Sequence, residues 1–140
     1  MRRWMVLGAL TVAGCVSELH GALTVDWQAG GKRWTMTPDG CASGQREGFF
    51  GVDLVAQGKD DSMVRVILDP RDGPVLRVNV PDSDKALTLT RSAACKNFDV
   101  HVERQHSTIN GITNVAGHLR VSCEEPGLTL AADITFDACH

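Results

Sequence analysis

The residues best suited to chemistry are acids and histidines that alternate along two late segments of this 140-residue chain. Asp99, His101 and Glu103 alternate along one segment, and His118 and Arg120 alternate along the next. Alternate residues share one face of a β-strand, so pairing of these segments would let both histidines and one carboxylate hold a divalent metal, as in a metal-dependent hydrolase. A solvated sheet face with mixed charges explains the same residues more simply. His101, His118, Asp99 and Glu103 are therefore only weak metal candidates, and we predict no metal site.

The sequence carries no recognisable motif for other enzyme chemistry. Ser43 lies in Gly40–Gln45, which lacks the G-x-S-x-G pattern of a nucleophile elbow, and we expect a disulfide-loop turn there. The acids between Asp72 and Asp84 lack the spacing of a calcium-binding loop. No phosphate-binding glycine loop or cofactor fingerprint is present. We therefore predict a non-enzymatic protein with no catalytic residues and no cofactor.

The elements that would position these residues are short strands. Segments with alternating apolar and polar residues recur along the chain, separated by turn-forming residues, and none shows an extended helical period. This pattern predicts an all-β fold, an antiparallel β-sandwich or partly open barrel of about eight strands. The predicted strands are Ala22–Trp27, Lys32–Met36, Phe49–Gln57, Met63–Leu68, Val75–Val80, Lys85–Thr90, Asn97–Arg104, Val115–Cys123 and Leu128–Phe136.

Two turn signals define the last three strands. Asn110-Gly111 marks the tip of a long hairpin, and Pro126-Gly127 suits a type II turn, because proline sets φ at the second position and glycine supplies the positive φ at the third. The buried face of the last two strands is then predicted to carry Leu119, Val121, Cys123, Leu128, Leu130, Ala132, Ile134 and Phe136.

Four of the five cysteines belong to the predicted domain. An even number of cysteines in an exported chain predicts two disulfides. Centring the long hairpin near residue 109 brings Cys95 opposite Cys123, which leaves Cys41 to pair with Cys139. A bulge could shift Cys95 by one residue, so Cys41–Cys95 with Cys123–Cys139 stays open as the competing pattern.

The N-terminus has the pattern of an export signal. Arg2 and Arg3 precede an apolar run of about ten residues, which fits a signal peptide and is too short for a spanning helix. The run ends Val12-Ala13-Gly14-Cys15, which resembles a bacterial lipobox. We predict a signal peptide over residues 1–14, lipidation of Cys15, a short tether over 15–21 and a β-sandwich domain over 22–140.

The charge of the chain indicates how it attaches to a membrane. The formal net charge is −3, and removal of Arg2 and Arg3 with the signal makes it −5. No basic cluster is present, so nucleic-acid binding is not expected, and the lipid must carry the membrane attachment. Val16-Ser17 after the cysteine gives no aspartate retention signal, which favours the outer membrane or cell surface.

The early cysteine, the lipobox cysteine and the ending NVAGHLRVSCEEPGLTLAADITFDACH together resemble the small bacterial all-β lipoproteins typified by the mycobacterial nineteen-kilodalton lipoprotein antigen. The resemblance covers the architecture. It implies a non-enzymatic, surface-associated lipoprotein whose acylated terminus is sensed by innate receptors of a host. The long linker rich in serine, threonine and alanine that follows the lipidated cysteine in that family is absent here, so a flexible, extended display is not expected.

The expected function is thus that of a membrane-anchored cell-envelope lipoprotein that acts as a binding or structural module. Its partners would be the membrane, through Cys15, and an envelope protein or a small apolar ligand. The alternative is a carrier that holds a small apolar or lipid ligand between the two sheets. A metal-dependent hydrolase is the least favoured function.

Overall fold

The computed structural model describes residues 16–57 and 62–140, and these form a two-layer antiparallel β-sandwich. The all-β prediction is confirmed. Sheet A has the strand order β2-β1-β10-β9-β8, and sheet B has the order β3-β4-β5-β6-β7. The strands are β1 (Glu18–Trp27), β2 (Lys32–Met36), β3 (Gly40–Ser43), β4 (Gly51–Ala56), β5 (Ser62–Asp69), β6 (Gly73–Asn79), β7 (Ala86–Thr90), β8 (Cys95–Ile109), β9 (Ile112–Glu125) and β10 (Leu128–Cys139).

Alternation along the strands builds one core between the sheets. Apolar residues at every second position turn to the same face of a strand, and both inner faces contribute to one contiguous cluster of buried side chains. The predicted buried face of the last two strands is confirmed, with Leu128 partly buried at its end. The largest fully buried side chains are Leu23, Met36, Leu54, Leu76, Leu119, Leu130 and Ile134.

The long hairpin of β8 and β9 turns at Asn110-Gly111, as expected. Both turn residues have positive φ, 52° and 79°, which is the two-residue geometry that matches the twist of paired strands. Ile109 pairs with Ile112 at the tip. Register shifts between Arg104 and Thr108 and between Cys95 and Asn97 then move the pairing along β8. They leave Cys95 directly opposite Cys123.

Strand β1 starts four residues earlier than the sequence predicted. The alternation indicated a start at Ala22, whereas the strand begins at Glu18 and pairs with β10 from there. Residues 18–21, which were assigned to the tether, therefore lie in sheet A. Gly21 explains the difference, because a glycine weakens a strand pattern. Here it has φ +102°, and a Cβ at this position would overlap the backbone oxygen of Asp133 on β10.

Strand β3 was not predicted at all. Gly40–Gln45 was expected to be a turn, but Gly40–Ser43 pairs with β4, and only Gly44–Glu47 forms a short 3₁₀ turn. A four-residue strand of glycine, cysteine, alanine and serine has neither the β-branched nor the aromatic residues that mark strands in a sequence.

The two edge strands of sheet B contact different ends of sheet A. β3, at one edge, contacts β9 and β10 and is joined to the end of β10 by the Cys41–Cys139 disulfide. β7, at the other edge, lies near the opposite end of sheet A. Asp82, before β7, pairs with Lys32, and Arg91, after β7, donates a hydrogen bond to the backbone oxygen of Phe98.

Two disulfides close the structure. Cys95 and Cys123 join β8 to β9 within sheet A, with their Cα atoms 3.9 Å apart. Cys41 and Cys139 join β3 to β10 and so connect the sheets, with Cα atoms 5.2 Å apart. This is the pairing that the hairpin register favoured over the competing pattern.

Candidate functional site

The acids and histidines of the late strands meet on the outer face of sheet A. His101 on β8 lies directly opposite His118 on β9, and Asp99 lies directly opposite Arg120. The two imidazole rings are 5.7 Å apart between centroids and tilted by 32°. The arrangement expected from alternation is therefore present, and these residues form one cluster with Glu103.

Each histidine of this cluster faces a carboxylate. Nε2 of His118 lies 3.0 Å from Oδ2 of Asp99, and Nε2 of His101 lies 3.3 Å from Oε2 of Glu103. The Nε2 atom of His118 is shielded from solvent. Hydrogen bonding to His118, together with the charges of His118, Arg120 and His101, lowers the pKa of Asp99.

The geometry of the cluster does not favour a metal centre. Within residues 16–57 and 62–140, no group of three or more histidine, cysteine or acidic side chains converges to hold an ion. The two imidazoles lie side by side on neighbouring strands, and each Nε2 is directed to its own carboxylate. As arranged, the cluster can offer charge and hydrogen bonds to a partner that lies on the sheet face.

Ser43 and Asp69, which precedes the acids between Asp72 and Asp84, have structural surroundings. Ser43 is buried at the end of β3. Asp69, which begins the β5–β6 turn, accepts hydrogen bonds from the backbone N–H groups of Arg71 and Asp72 at 2.7 and 3.1 Å. These two bonds lower the pKa of Asp69. The carboxylate thus stabilises a turn in the way that aspartate commonly does.

Cys15, the predicted lipidation site, lies outside the described residues. The domain nevertheless starts very close to it. The Ser17 hydroxyl donates a hydrogen bond of 3.0 Å to the backbone oxygen of Ala138 at the end of β10, and β1 follows at Glu18. Only Val16 separates Ser17 from Cys15, and the side chain of Val16 is 78% exposed. The end of the sandwich that contains these residues is called the N-terminal end below.

A cleft of about 320 Å³ opens at the N-terminal end, between the 3₁₀ turn and the β8–β9 hairpin. Gln45 spans it. Its Nε2 donates to the backbone oxygen of Gly111 at 3.1 Å, and its Oε1 accepts from the N–H of Thr113 at 2.9 Å. One side chain therefore satisfies two backbone groups of the hairpin and holds its tip against sheet B.

Phe49 and Phe50 form the wall of this cleft, each with an arginine over its ring. The guanidinium carbon of Arg104 lies 4.3 Å from the centroid of Phe50, and that of Arg65 lies 4.7 Å from the centroid of Phe49. Both distances are within the range of cation–π attraction. The sequence suggested that these phenylalanines could reach the surface, and both are half-buried.

Arg65 is held by a nearly buried carboxylate. Its Nε and Nη2 donate to the two oxygens of Asp53 on the neighbouring strand, both at 2.8 Å. Only 11% of the Asp53 side chain and 27% of the Arg65 side chain are exposed. The hydrogen bonds that Arg65 donates to Asp53 raise the pKa of Arg65 above its ordinary value. This bidentate pair fixes the arginine over Phe49.

Gln45, Arg65 and Arg104 were not identified from the sequence. The Asp53–Arg65 pair had a usable signal, since the two residues face outward on adjacent predicted strands. Gln45 had none, because its partner Thr113 lies 68 residues away and the 3₁₀ turn that carries Gln45 has no strong local pattern.

Neither a membrane-spanning helix nor a known relative identifies the role of these residues. No helix within residues 16–57 and 62–140 combines the length and apolar character needed to cross a bilayer. No protein-family model, curated protein or solved structure matches the chain.

Proposed function

We propose that this protein is an exported bacterial lipoprotein, anchored through Cys15 to the outer membrane or cell surface, that serves as a non-enzymatic binding or structural module of the envelope. The lipobox-like sequence Val12-Ala13-Gly14-Cys15 is the reason to expect the anchor. An N-terminal diacylglycerol with a further acyl chain exceeds the two signals that stable membrane attachment needs.

The structural observation that carries the proposed mode of display is the attachment of Ser17 to Ala138, at the end of the central strand of sheet A. A lipid on Cys15 would hold the sandwich within a few ångströms of the bilayer, with no flexible linker between them. Such a domain would present its remaining surface in a defined orientation, which suits contact with a partner in the envelope. Acyl-chain palmitate would be a component of the anchor.

The surface proposed to meet a partner is the outer face of sheet A. It combines the His101 and His118 cluster with a shallow depression of about 410 Å³ whose polar rim includes Asn97, Arg120 and Asp133. Small side chains such as Ala131 line its floor. A flat sheet face with a charged rim can receive a protein surface and bind it with hydrogen bonds.

The carrier and the hydrolase are less well supported. A carrier needs a cavity between the sheets, whereas the inner faces meet in one contiguous cluster of buried side chains. A metal hydrolase needs at least three protein ligands around one ion, and the His101–His118 cluster directs its nitrogens to two separate carboxylates.

Mass spectrometry of protein extracted from membranes tests the proposal. We expect the wild-type chain to begin at Cys15, to carry acyl mass there and to partition with detergent. Cys15→Ser should give a product that carries no acyl mass while retaining both disulfides. An unmodified, water-soluble wild-type protein would overturn the proposal.

A further inference from the structure

Two large apolar side chains are exposed among the described residues, and both lie at the N-terminal end. Val16 is 78% exposed and Ile109 is 38% exposed. Glu18 pairs with Asp137, so Val16 lies near the level of Cys139, which in turn pairs with Val115 on β9. Beyond Val115, the β8–β9 hairpin continues for three more residues of β9, 112–114, and ends in the turn at Asn110-Gly111.

The hairpin tip, residues 105–113, therefore projects past the point where the chain leaves the domain. Three further residues of strand correspond to roughly 10 Å. β10 alone separates β1 from β9 in sheet A, so the tip and the start of β1 are also close laterally, at roughly two strand spacings.

Polar side chains hold the tip firmly in this position. Gln45 makes two hydrogen bonds to the backbone of the hairpin, as described above. In addition, Nε2 of Gln105 donates to the Asp137 carboxylate, and Oε1 of Gln105 accepts from the N–H of Ala138 at 3.0 Å. The same backbone segment of β10 binds Ser17 through the oxygen of Ala138. The tip and the N-terminal residues are thus attached to one short stretch of β10.

The hairpin tip carries no formal negative charge. Residues 105–113 contain no acidic side chain, although the chain has 17. An anionic membrane therefore meets no carboxylate on the tip itself.

We propose that the hairpin tip is a second membrane contact, which places Ile109 in the interfacial layer of a phospholipid bilayer beside the acyl chains of Cys15. This inference rests on the proposed function, since the anchor brings the tip to the membrane. The expected occupant is lipid, because an acylated Cys15 lies one residue from Val16, at most about 4 Å between Cα atoms. The contact fixes the tilt of the sandwich relative to the bilayer.

Hydrogen exchange of the lipidated protein on phosphatidylethanolamine–phosphatidylglycerol vesicles tests this contact. We expect exchange in residues 108–113 to slow about tenfold relative to unlipidated Cys15→Ser in the presence of the same vesicles, because burial of one aliphatic side chain shifts an equilibrium by about that factor. Exchange in residues 124–128, at the opposite end of the sandwich, should not change.

Matched variants at the tip provide the control. Ile109→Ser removes the apolar side chain from an exposed position and should abolish most of the slowing, whereas Ile109→Val should retain it. Equal exchange on and off vesicles, with acyl mass present on Cys15, would overturn this inference and leave the proposed function intact. Absence of acyl mass would overturn both. Binding of the tip to a protein instead of lipid would appear as slowing in native membranes but not on pure vesicles, and would also overturn it.

Discussion

The Asp53–Arg65 pair shows how a charged residue can be stable on the outer face of a sheet. Asp53 has only 11% of its side chain exposed, and both its oxygens accept hydrogen bonds from Arg65. Removing one member of such a pair leaves the other charge without compensation, which costs more than the net contribution of the pair. The phenyl ring of Phe49 shields the arginine on one side.

Arg65→Met should lower the free energy of unfolding by about 2 kcal/mol, because the Asp53 carboxylate is then nearly buried and unpaired. The double variant Asp53→Val with Arg65→Met should recover most of that loss, since neither charge remains. Urea unfolding of both variants beside wild type measures the difference. A double variant as unstable as the single one would show that the arginine stabilises through packing rather than through the pair.

Gly21 has the largest local consequence at the level of a strand. It continues β1 toward the N-terminus with φ +102° and allows the backbone of β10 to approach closely. Residues 18–21 pair with β10 across this close approach, next to the contact of Ser17 with Ala138. The residue that hid the start of the strand from sequence-based prediction is therefore the one that permits it.

Gly21→Ala should destabilise the domain by about 2–3 kcal/mol, because a non-glycine residue is strained at this φ and its Cβ overlaps the oxygen of Asp133. Ala22→Gly, one position along the same strand, should cost only about 0.5–1 kcal/mol through backbone entropy. Thermal unfolding of the two variants separates these effects. Similar losses for both would mean that the conformation of Gly21 is not a constraint.

Strands bounded by strong turn-forming residues were predictable from the sequence, whereas strands without such residues were not. Asn110-Gly111 and Pro126-Gly127, between alternating segments, defined β8 to β10 and hence the meeting of His101 with His118. β3 was missed because its four residues have weak strand preference. The register shifts in β8 left no mark in the residue pattern. The cleft at the N-terminal end depends on long-range packing of Gln45, which local patterns do not encode.

At the scale of the whole molecule, the two disulfides differ in how much chain they close. Cys41 and Cys139 are 98 residues apart, whereas Cys95 and Cys123 are 28 apart and already paired across a hairpin. In the chain-entropy description, the first stabilises by about 4.7 kcal/mol and the second by about 3.6 kcal/mol. The inter-sheet bridge should therefore contribute more to global stability.

Replacing Cys41 and Cys139 with alanine should lower stability by about 1 kcal/mol more than replacing Cys95 and Cys123, for the reason of loop length. Guanidinium unfolding of the two double variants under oxidising conditions measures this difference. Each variant serves as the control of the other, because each loses two cysteines and one bridge. A larger loss for the hairpin bridge would contradict the chain-entropy account.

The bridge between β3 and β10 also sets how this domain responds to mechanical tension. A pull on Cys15 enters at β1 and loads the ladder between β1 and β10 in shear. If that ladder ruptures, the chain can extend only as far as Cys41, because the disulfide joins Cys41 to Cys139 on β10. That is about 25 residues, or roughly 80–90 Å of slack. The bridge then keeps β3 joined to β10 and limits the extension of the N-terminal segment to that length.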